Sequence, residues 1–177
     1  MTLENLISGC KENDRKAQNA LYQRYAKPMF GLCKRYIKDK GEAEEVMING
    51  FYKVFMKIDQ FSAQGSFEGW MKRIIINEAL MYLRRYNMNL SVELNENSGK
   101  EKVLSADANI REEDILKLLD SLPIGYRTVF NLYAIEGYKH QEISEKLGIS
   151  INTSKSQLLK ARKKLKELLE QRKYNVA

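Results

Sequence analysis

The sequence contains little proline, histidine or cysteine and has no long apolar run. Two prolines in 177 residues argue against an all-β or loop-built protein, where turns recur often. One His and two Cys are too few for the Cys/His sets of zinc sites. We expect Cys10 and Cys33 to be reduced, buried thiols. No charge-free run exceeds eight residues, whereas a helix that crosses a bilayer needs about 20.

Signatures of catalysis and of cofactor binding are also missing from the sequence. It has no glycine pattern of a phosphate loop or of a dinucleotide site, and no nucleophile in a recognisable triad signature. The first residues, MTLENLISGCKENDRK, lack the apolar stretch of a secretory signal. We therefore expect a soluble, intracellular protein that is not an enzyme, needs no cofactor or metal and does not insert into a membrane.

The formal net charge of +7 is unevenly distributed along the chain. Residues 1–88 carry a net charge of +5, residues 89–112 carry −2, and residues 113–177 carry +4. The middle segment has no aromatic residue, so it cannot bury enough surface to offset its ordering entropy. The sequence therefore predicts an all-α fold class: two small helical domains, 1–88 and 113–177, joined by an acidic flexible linker at 89–112.

In the first domain, apolar residues recur at helical spacing almost throughout. Asp14 can cap one helix, Pro28 suits the start of the next, and Ser66 can cap a long helix that ends near Arg85. We predict that this long helix turns four apolar residues to a core: Phe67, Met71, Ile74 and Met81. Its other faces carry polar, basic and aromatic side chains: Trp70, Lys72, Arg73, Asn77, Tyr82, Arg84, Arg85 and Tyr86.

Basic groups interleaved with aromatic rings suit single-stranded nucleic acid, because bases stack on the rings while cations hold the backbone. The same pattern also fits a core helix with a solvated basic face.

The last domain contains HQEISEKLGISINTSKSQLLKARKKLKELL, which has the pattern of a helix-turn-helix. Gly148 allows the tight turn, Ile149 fills the angle between the helices, and Ser150 can cap the second helix. Residues 151–166 contain six basic side chains and no acidic one, which suits the DNA major groove or a solvated cationic face. Four residues of the second helix are predicted to face inward: Leu158, Ala161, Leu165 and Leu168. The residues predicted to lie at DNA are the outward-facing Asn152, Lys155, Ser156, Leu159, Lys160 and Lys163, with Thr153 and Gln157 beside them.

The order of these motifs resembles the extracytoplasmic-function sigma factors of bacteria over nearly the whole chain. EAEEVMINGFYKVFMKIDQF is similar to the helix of that family that binds the polymerase clamp. GSFEGWMKRIIINEALMYLRR is similar to its start-proximal promoter-reading segment, and residues 118–165 are similar to its domain for the upstream promoter element.

The resemblance implies a factor that binds core RNA polymerase at its clamp and flap, directs it to promoters and helps to open the duplex. The implied polymerase-binding residues are Glu45, Asn49, Phe51, Lys53 and Val54. The residues implied to build or brace a pocket for a flipped base are Phe61, Ser66, Phe67 and Trp70. Contacts to the start-proximal element are implied for Arg73, Asn77 and Arg84, with Arg85 beside them. The family also suggests a cytoplasmic monomer in the holoenzyme, at the nucleoid, and an anti-sigma partner.

Four positions depart from the pattern of the family. Asn49 stands where an acidic residue is frequent, and Ser154 replaces an apolar residue on the inner face of the reading helix, which should loosen its packing. Gln157 stands where Arg is common and would favour adenine. His140 replaces an aromatic residue, and we expect it to cap or pack there.

Two other functions fit parts of the sequence. A conventional helix-turn-helix regulator would carry a sensing or dimerisation module at its N-terminus, and a helical RNA-binding or adaptor protein would use the basic faces differently. Residues 42–86 disfavour the regulator, because a sensing module does not need that basic and aromatic helix. The Gly148 turn disfavours the adaptor.

Overall fold

The computed structural model describes residues 1–86 and 112–174, and its regular elements in these ranges are all helical. The predicted all-α fold class is confirmed. The chain divides into an N-terminal unit, Met1–Leu83, and a C-terminal unit, Arg84–Ala177. Apart from Glu112, which begins a helix, the predicted linker lies outside the described residues. Across the described ranges, no helix combines the length and apolar character that a bilayer crossing requires.

The N-terminal unit begins with helices α1 (Leu3–Lys11), α2 (Arg15–Tyr36) and α3 (Lys40–Met56). A short 3-10 turn (Ile58–Gln60) and a loop then lead into α4 (Phe67–Arg85). The predicted cap at Asp14 is confirmed, because its carboxylate accepts a hydrogen bond of 2.9 Å from the backbone N–H of Lys16. Asp39 caps α3 in the same way, with the backbone N–H of Glu42 at 2.9 Å.

The predicted helix start at Pro28 is wrong, because Pro28 lies inside the 22-residue helix α2. A proline within a helix costs about 3 kcal/mol. The side chain of Pro28 is exposed, whereas Tyr25, Met29 and Leu32 around it are buried. Burial of this continuous apolar stripe offsets the local cost and keeps α2 in one piece.

Helix α4 packs on α3 at a point of close approach. A Cβ added to Gly50 of α3 would lie 2.8 Å from Cγ1 of Ile75 on α4, so only glycine fits there without movement. The predicted inward positions Phe67 and Met71 are buried, but Ile74 is only half-buried and Met81 is 42% exposed. The prediction for Met81 is wrong because α4 turns a different stripe to the core: Ile75, Ile76, Ala79, Leu80 and Leu83.

The two cysteines belong to the N-terminal unit, where both are free and buried, as predicted. Burial raises the pKa of Cys33 to about 12, against the opposing effect of Arg35. Burial and then Asp14 raise the pKa of Cys10. Both thiols are therefore protonated at neutral pH and poorly reactive, since the thiolate is the nucleophile.

The C-terminal unit contains α5 (Glu112–Asp120), α6 (Ile124–Phe130), α7 (His140–Leu147) and α8 (Ile151–Tyr174). A π-helical turn, Asn131–Ile135, continues α6. Leu119, Leu122 and Ala161 form a core cluster with half-buried apolar neighbours: Tyr126, Phe130 and Leu165. The guanidinium of Arg127 is buried and forms an ion pair of 2.8 Å with Asp120.

Candidate nucleic-acid interface

Three aromatic rings form a cluster where the loop of residues 61–66 enters α4. The ring centroid of Phe61 lies 5.2 Å from that of Phe67 and 5.6 Å from that of Trp70. Phe67 is buried, whereas Phe61 and Trp70 are half-exposed, so Phe67 braces the cluster and the other two rings can be reached. Such rings offer faces on which an unpaired base can stack.

The loop beside this cluster is exposed and has an unusual backbone. Ala63 has a φ of 58° and Gly65 a φ of 120°, and residues 62–66 are exposed. Ser66 caps α4, as predicted, because its hydroxyl oxygen accepts a 3.3 Å hydrogen bond from the backbone N–H of Gly69. The loop therefore ends at a defined point next to the reachable rings.

The exposed face of α4 carries the predicted cationic and polar groups. Arg73, Asn77, Arg84 and Arg85 are all exposed, and Arg73 and Asn77 lie one helical turn apart. Lys72 instead forms an ion pair of 2.7 Å with Glu68 on the same helix. The face can therefore present Arg73, Asn77 and the C-terminal arginines to a nucleic acid.

The residues predicted to bind polymerase on α3 do not lie on one face. Glu45 and Asn49 are exposed, but Phe51 and Val54 are buried in the core, so the predicted contact through these two is wrong. The inward stripe of α3 needs both of them for packing. The amine of Lys53 forms an ion pair of 2.5 Å with Glu78 of α4 and thereby joins the two helices.

Sequence reasoning missed an apolar stripe on the outer face of α3. Ile48, Tyr52 and Met56 are 51%, 64% and 66% exposed and recur at every fourth residue. Glu44, Glu45 and Asn49 lie among them on the exposed side of the helix. The signal was present, because α3 contains more apolar residues than one inward stripe can hold.

The predicted helix-turn-helix is present in the C-terminal unit. Gly148 ends α7 with a φ of 66°, Ile149 is buried, and the Ser150 hydroxyl accepts a 2.9 Å hydrogen bond from the backbone N–H of Thr153. Ser144 donates a 2.6 Å hydrogen bond to the Ile149 carbonyl and closes the turn. These contacts fix how α8 leaves the turn.

Helix α8 separates an outer basic face from a buried inner one. Leu158 and Ala161 are buried as predicted, and Leu165 and Leu168 are half-buried. The exposed residues predicted to read DNA are Asn152, Lys155, Leu159 and Lys163, and the half-exposed ones are Thr153, Ser156 and Lys160. The assignment of Gln157 to this face is wrong: it is 1% exposed, because it shares the inner face with Leu158 and Ala161.

Comparison with known proteins identifies the family of this chain. The model of sigma-70 region 2 matches residues 21–88, and that of sigma-70 region 4 matches residues 112–165. The ECF RNA polymerase sigma-E factor of Haemophilus influenzae is 25% identical, over 96% of each chain. That of Escherichia coli K12 is 26% identical, over 92% of this chain and 91% of its own.

The chain belongs to the sigma-70 family. Its relatives place it in the extracytoplasmic-function group, so it is an RNA polymerase sigma factor, as the sequence analysis predicted. The region 2 match over residues 21–88 rules against the alternative of an N-terminal sensing module. Sigma factors are non-enzymatic transcription initiation factors.

Two solved structures share the fold of this sigma factor. The sigma factor RpoE from Bartonella quintana, in complex with the anti-sigma factor NepR, has a TM-score of 0.54 at 19% identity and covers 86% of this chain. CnrH, in complex with the cytosolic domain of CnrY, has a TM-score of 0.52 at 21% identity and covers 93%. The matches extend over 96% and 95% of those chains, respectively.

Proposed function

We propose that this sigma factor binds core RNA polymerase, directs it to promoters with a start-proximal and an upstream element, and promotes opening of the duplex. The observation that carries the proposal is the presence of two different nucleic-acid faces in one chain. The ring cluster and α4 suit unpaired bases, whereas the outer face of α8 suits a duplex groove.

The start-proximal role is supported by the half-exposed rings of Phe61 and Trp70 beside the cationic face of α4. Extrusion of a base costs unstacking energy, which ring contacts can offset. Arg73 and Asn77 would then hold the backbone or read base edges. Duplex opening follows, because capture of the flipped base stabilises the unpaired state.

The upstream role rests on the outer face of α8. Lys155 and Lys163 supply cations for phosphates, and Asn152 near the start of the helix can reach base edges. Leu159 is 71% exposed in the middle of this face, where it would contact a thymine methyl group.

The polymerase-binding role is better supported by the apolar stripe of Ile48, Tyr52 and Met56 than by buried Phe51 and Val54. An exposed apolar stripe bordered by Glu44, Glu45 and Asn49 suits a protein partner with apolar and basic groups. Clamp docking through this stripe is our proposal, and contact with the flap remains a prediction.

An anti-sigma partner is also proposed, because both structural neighbours were solved with a bound partner, one of them named as an anti-sigma factor. This role requires a cytoplasmic location, and a location at the nucleoid when the protein is part of the holoenzyme.

The test is to mix the purified chain with core polymerase and to measure complex formation and promoter-dependent transcription from a promoter library. We expect both, and Tyr52→Ser to weaken the complex about tenfold, since truncation of a central aromatic contact commonly costs more than 1 kcal/mol. Leu169→Ser is the matched control, because Leu169 is exposed beyond the region 4 match. The absence of both a complex and promoter-dependent transcription would refute the proposal.

A further inference from the structure

A hydrogen bond between α7 and α8 joins two of the residues that depart from the family pattern. Nδ1 of His140, the first residue of α7, lies 2.9 Å from the hydroxyl oxygen of Ser154 on α8. Ser154 is 0% exposed and His140 is half-buried. Ser154 therefore does not simply loosen the packing of α8, as the sequence suggests, because it replaces an apolar contact with a polar one between the helices.

The His140 ring has a second contact on its face. It stacks on Tyr133 of the π-helical turn, with ring centroids 4.5 Å apart and an interplanar angle of 23°. The guanidinium of Arg162 on α8 lies 5.7 Å from the centroid of the same Tyr133 ring. The stacked pair thus touches α8 at Ser154 and again at Arg162, two turns later. The residues from Lys155 to Lys160 that we propose to read DNA lie between these two points.

We propose that His140 is a positioning residue for promoter recognition, which fixes the rotation of α8 in the DNA groove through Ser154 and Tyr133. This inference rests on the proposed function, namely that the outer face of α8 reads the upstream element. Rotation is the property that matters, because a turn of α8 about its axis moves Leu159 and its neighbours away from the base edges together.

Removal of His140 and removal of the Ser154 hydroxyl should have unequal costs for the position of α8. Removal of His140 leaves the Ser154 hydroxyl buried without its inter-helix bond, and a buried serine then turns to a carbonyl of its own helix, which bends the helix. Removal of the Ser154 hydroxyl costs less, because the half-buried imidazole can reach water. Replacement of both partners by apolar groups is close to neutral, since no polar group is then left without its partner.

The test is a double-mutant cycle in the holoenzyme, with full-length chain and core polymerase. The probe is a duplex selected by the unsubstituted holoenzyme from a library with a randomised upstream region, and an unrelated duplex of equal length reports non-specific binding. We expect His140→Phe to weaken binding to the selected duplex about tenfold and Ser154→Ala about threefold. The double variant should return close to the parent affinity, with non-specific binding unchanged throughout.

A second measurement separates positioning from loss of fold. The chain has one histidine, so its imidazole ¹⁵N resonances are assigned without overlap. Ser154→Ala should shift the Nδ1 resonance. The control Ser121→Ala, which removes a hydroxyl bonded to the Leu118 carbonyl at the end of α5, should not.

The outcomes are distinct. If the holoenzyme selects an upstream sequence but the two substitutions act additively, or if Ser154→Ala leaves the Nδ1 resonance in place, the inference about His140 is wrong and the proposed function stands. If the unsubstituted holoenzyme selects no upstream sequence, the proposed reading of DNA by α8 and the role of His140 are both refuted. Equal losses on both duplexes with a lowered melting temperature would show a folding defect, which also overturns positioning.

Discussion

The two units differ in what they bury. Among the described residues, Glu78 is the one buried polar or charged residue of the N-terminal unit. The C-terminal unit buries six: Asp114, Arg127, Thr128, Asn131, Ser154 and Gln157. Apolar packing therefore dominates in the first unit, whereas the second adds buried polar contacts to its apolar core, and there the loss of one polar partner is costly.

The two units also differ in the chemistry of their exposed surfaces. The N-terminal unit exposes an apolar stripe on α3 and reachable rings beside α4, whereas the C-terminal unit exposes a basic face on α8. An apolar stripe binds with little dependence on salt, and a basic face releases counterions when it binds DNA. In the proposed function, the first unit would therefore supply protein docking and capture of bases, and the second would supply a groove contact that depends on salt.

The largest expected effect is on the ion pair between the buried Arg127 and the half-buried Asp120 of the C-terminal unit. Asp120→Ala should lower the free energy of unfolding of this unit by about 1.5–3 kcal/mol, because the buried guanidinium of Arg127 loses a charge-assisted hydrogen bond. Hydrogen exchange measured by mass spectrometry on peptides of α6 and α8 would report the loss. Peptides of α2 and α3 should keep their protection.

Arg127→Met is the matched variant, because it removes the charge and keeps most of the volume. We expect it to cost less than Asp120→Ala, since replacement of a buried charge by an apolar group of similar size is better tolerated than loss of its partner. If Arg127→Met lowers the free energy of unfolding more than Asp120→Ala does, the loss of the carboxylate partner is not the main cost of breaking this ion pair.

The next effect is on the apolar packing of the N-terminal unit. Gly50→Ala should lower the free energy of unfolding by about 1–3 kcal/mol, because the new Cβ would lie 2.8 Å from Cγ1 of Ile75. Gly69→Ala is the control, since its Cβ would meet Ser66 at an ordinary 3.8 Å and alanine favours a helix. Thermal unfolding of the two variants should move in opposite directions. Equal destabilisation would contradict the close approach of α3 and α4.

Apart from the false helix start at Pro28, the sequence predicted the helical character of both units and the turn at Gly148, because periodicity and caps are local signals. Rotation of a helix depends on what packs against it. Met81 is apolar and spaced like a core residue, yet α4 turns Ile75 and Ala79 inward instead. Gln157 is polar but buried, since α8 places it beside Leu158. The pairing of His140 with Ser154 joins positions 14 residues apart, which no local pattern reveals.

A smaller effect separates the two outer faces by their response to salt. The slope of the logarithm of the binding constant against the logarithm of salt concentration reports phosphate contacts. Lys155→Gln and Lys163→Gln should each lower the size of this slope, for holoenzyme binding to promoter duplex, by about 0.9, the value for one lost phosphate contact. Lys117→Gln on α5 should leave the slope unchanged. Tyr52→Ser should weaken polymerase binding with no change in its salt dependence. Titrations over a range of salt concentrations would measure the salt dependence of DNA binding and of polymerase binding. An unchanged slope in both Lys155→Gln and Lys163→Gln would show that these lysines of α8 do not contact phosphates.

The smallest expected effect is a pH dependence confined to the C-terminal unit, which holds the only histidine of the sequence. Burial, then the charges of Lys155 and Arg162, lower the pKa of His140 below its ordinary value of 6.5. As the pH falls below 6.5, the unfolded chain binds a proton before the folded one does, so the free energy of unfolding declines until the folded imidazole is also protonated. Hydrogen exchange between about pH 7.5 and 5.5, corrected for its intrinsic rate, should show this decline in α7 and α8 and not in α2 or α3. His140→Phe should abolish it. A decline that persists in His140→Phe, or one of equal size in both units, would assign the acid sensitivity to carboxylates and make the units alike in this respect.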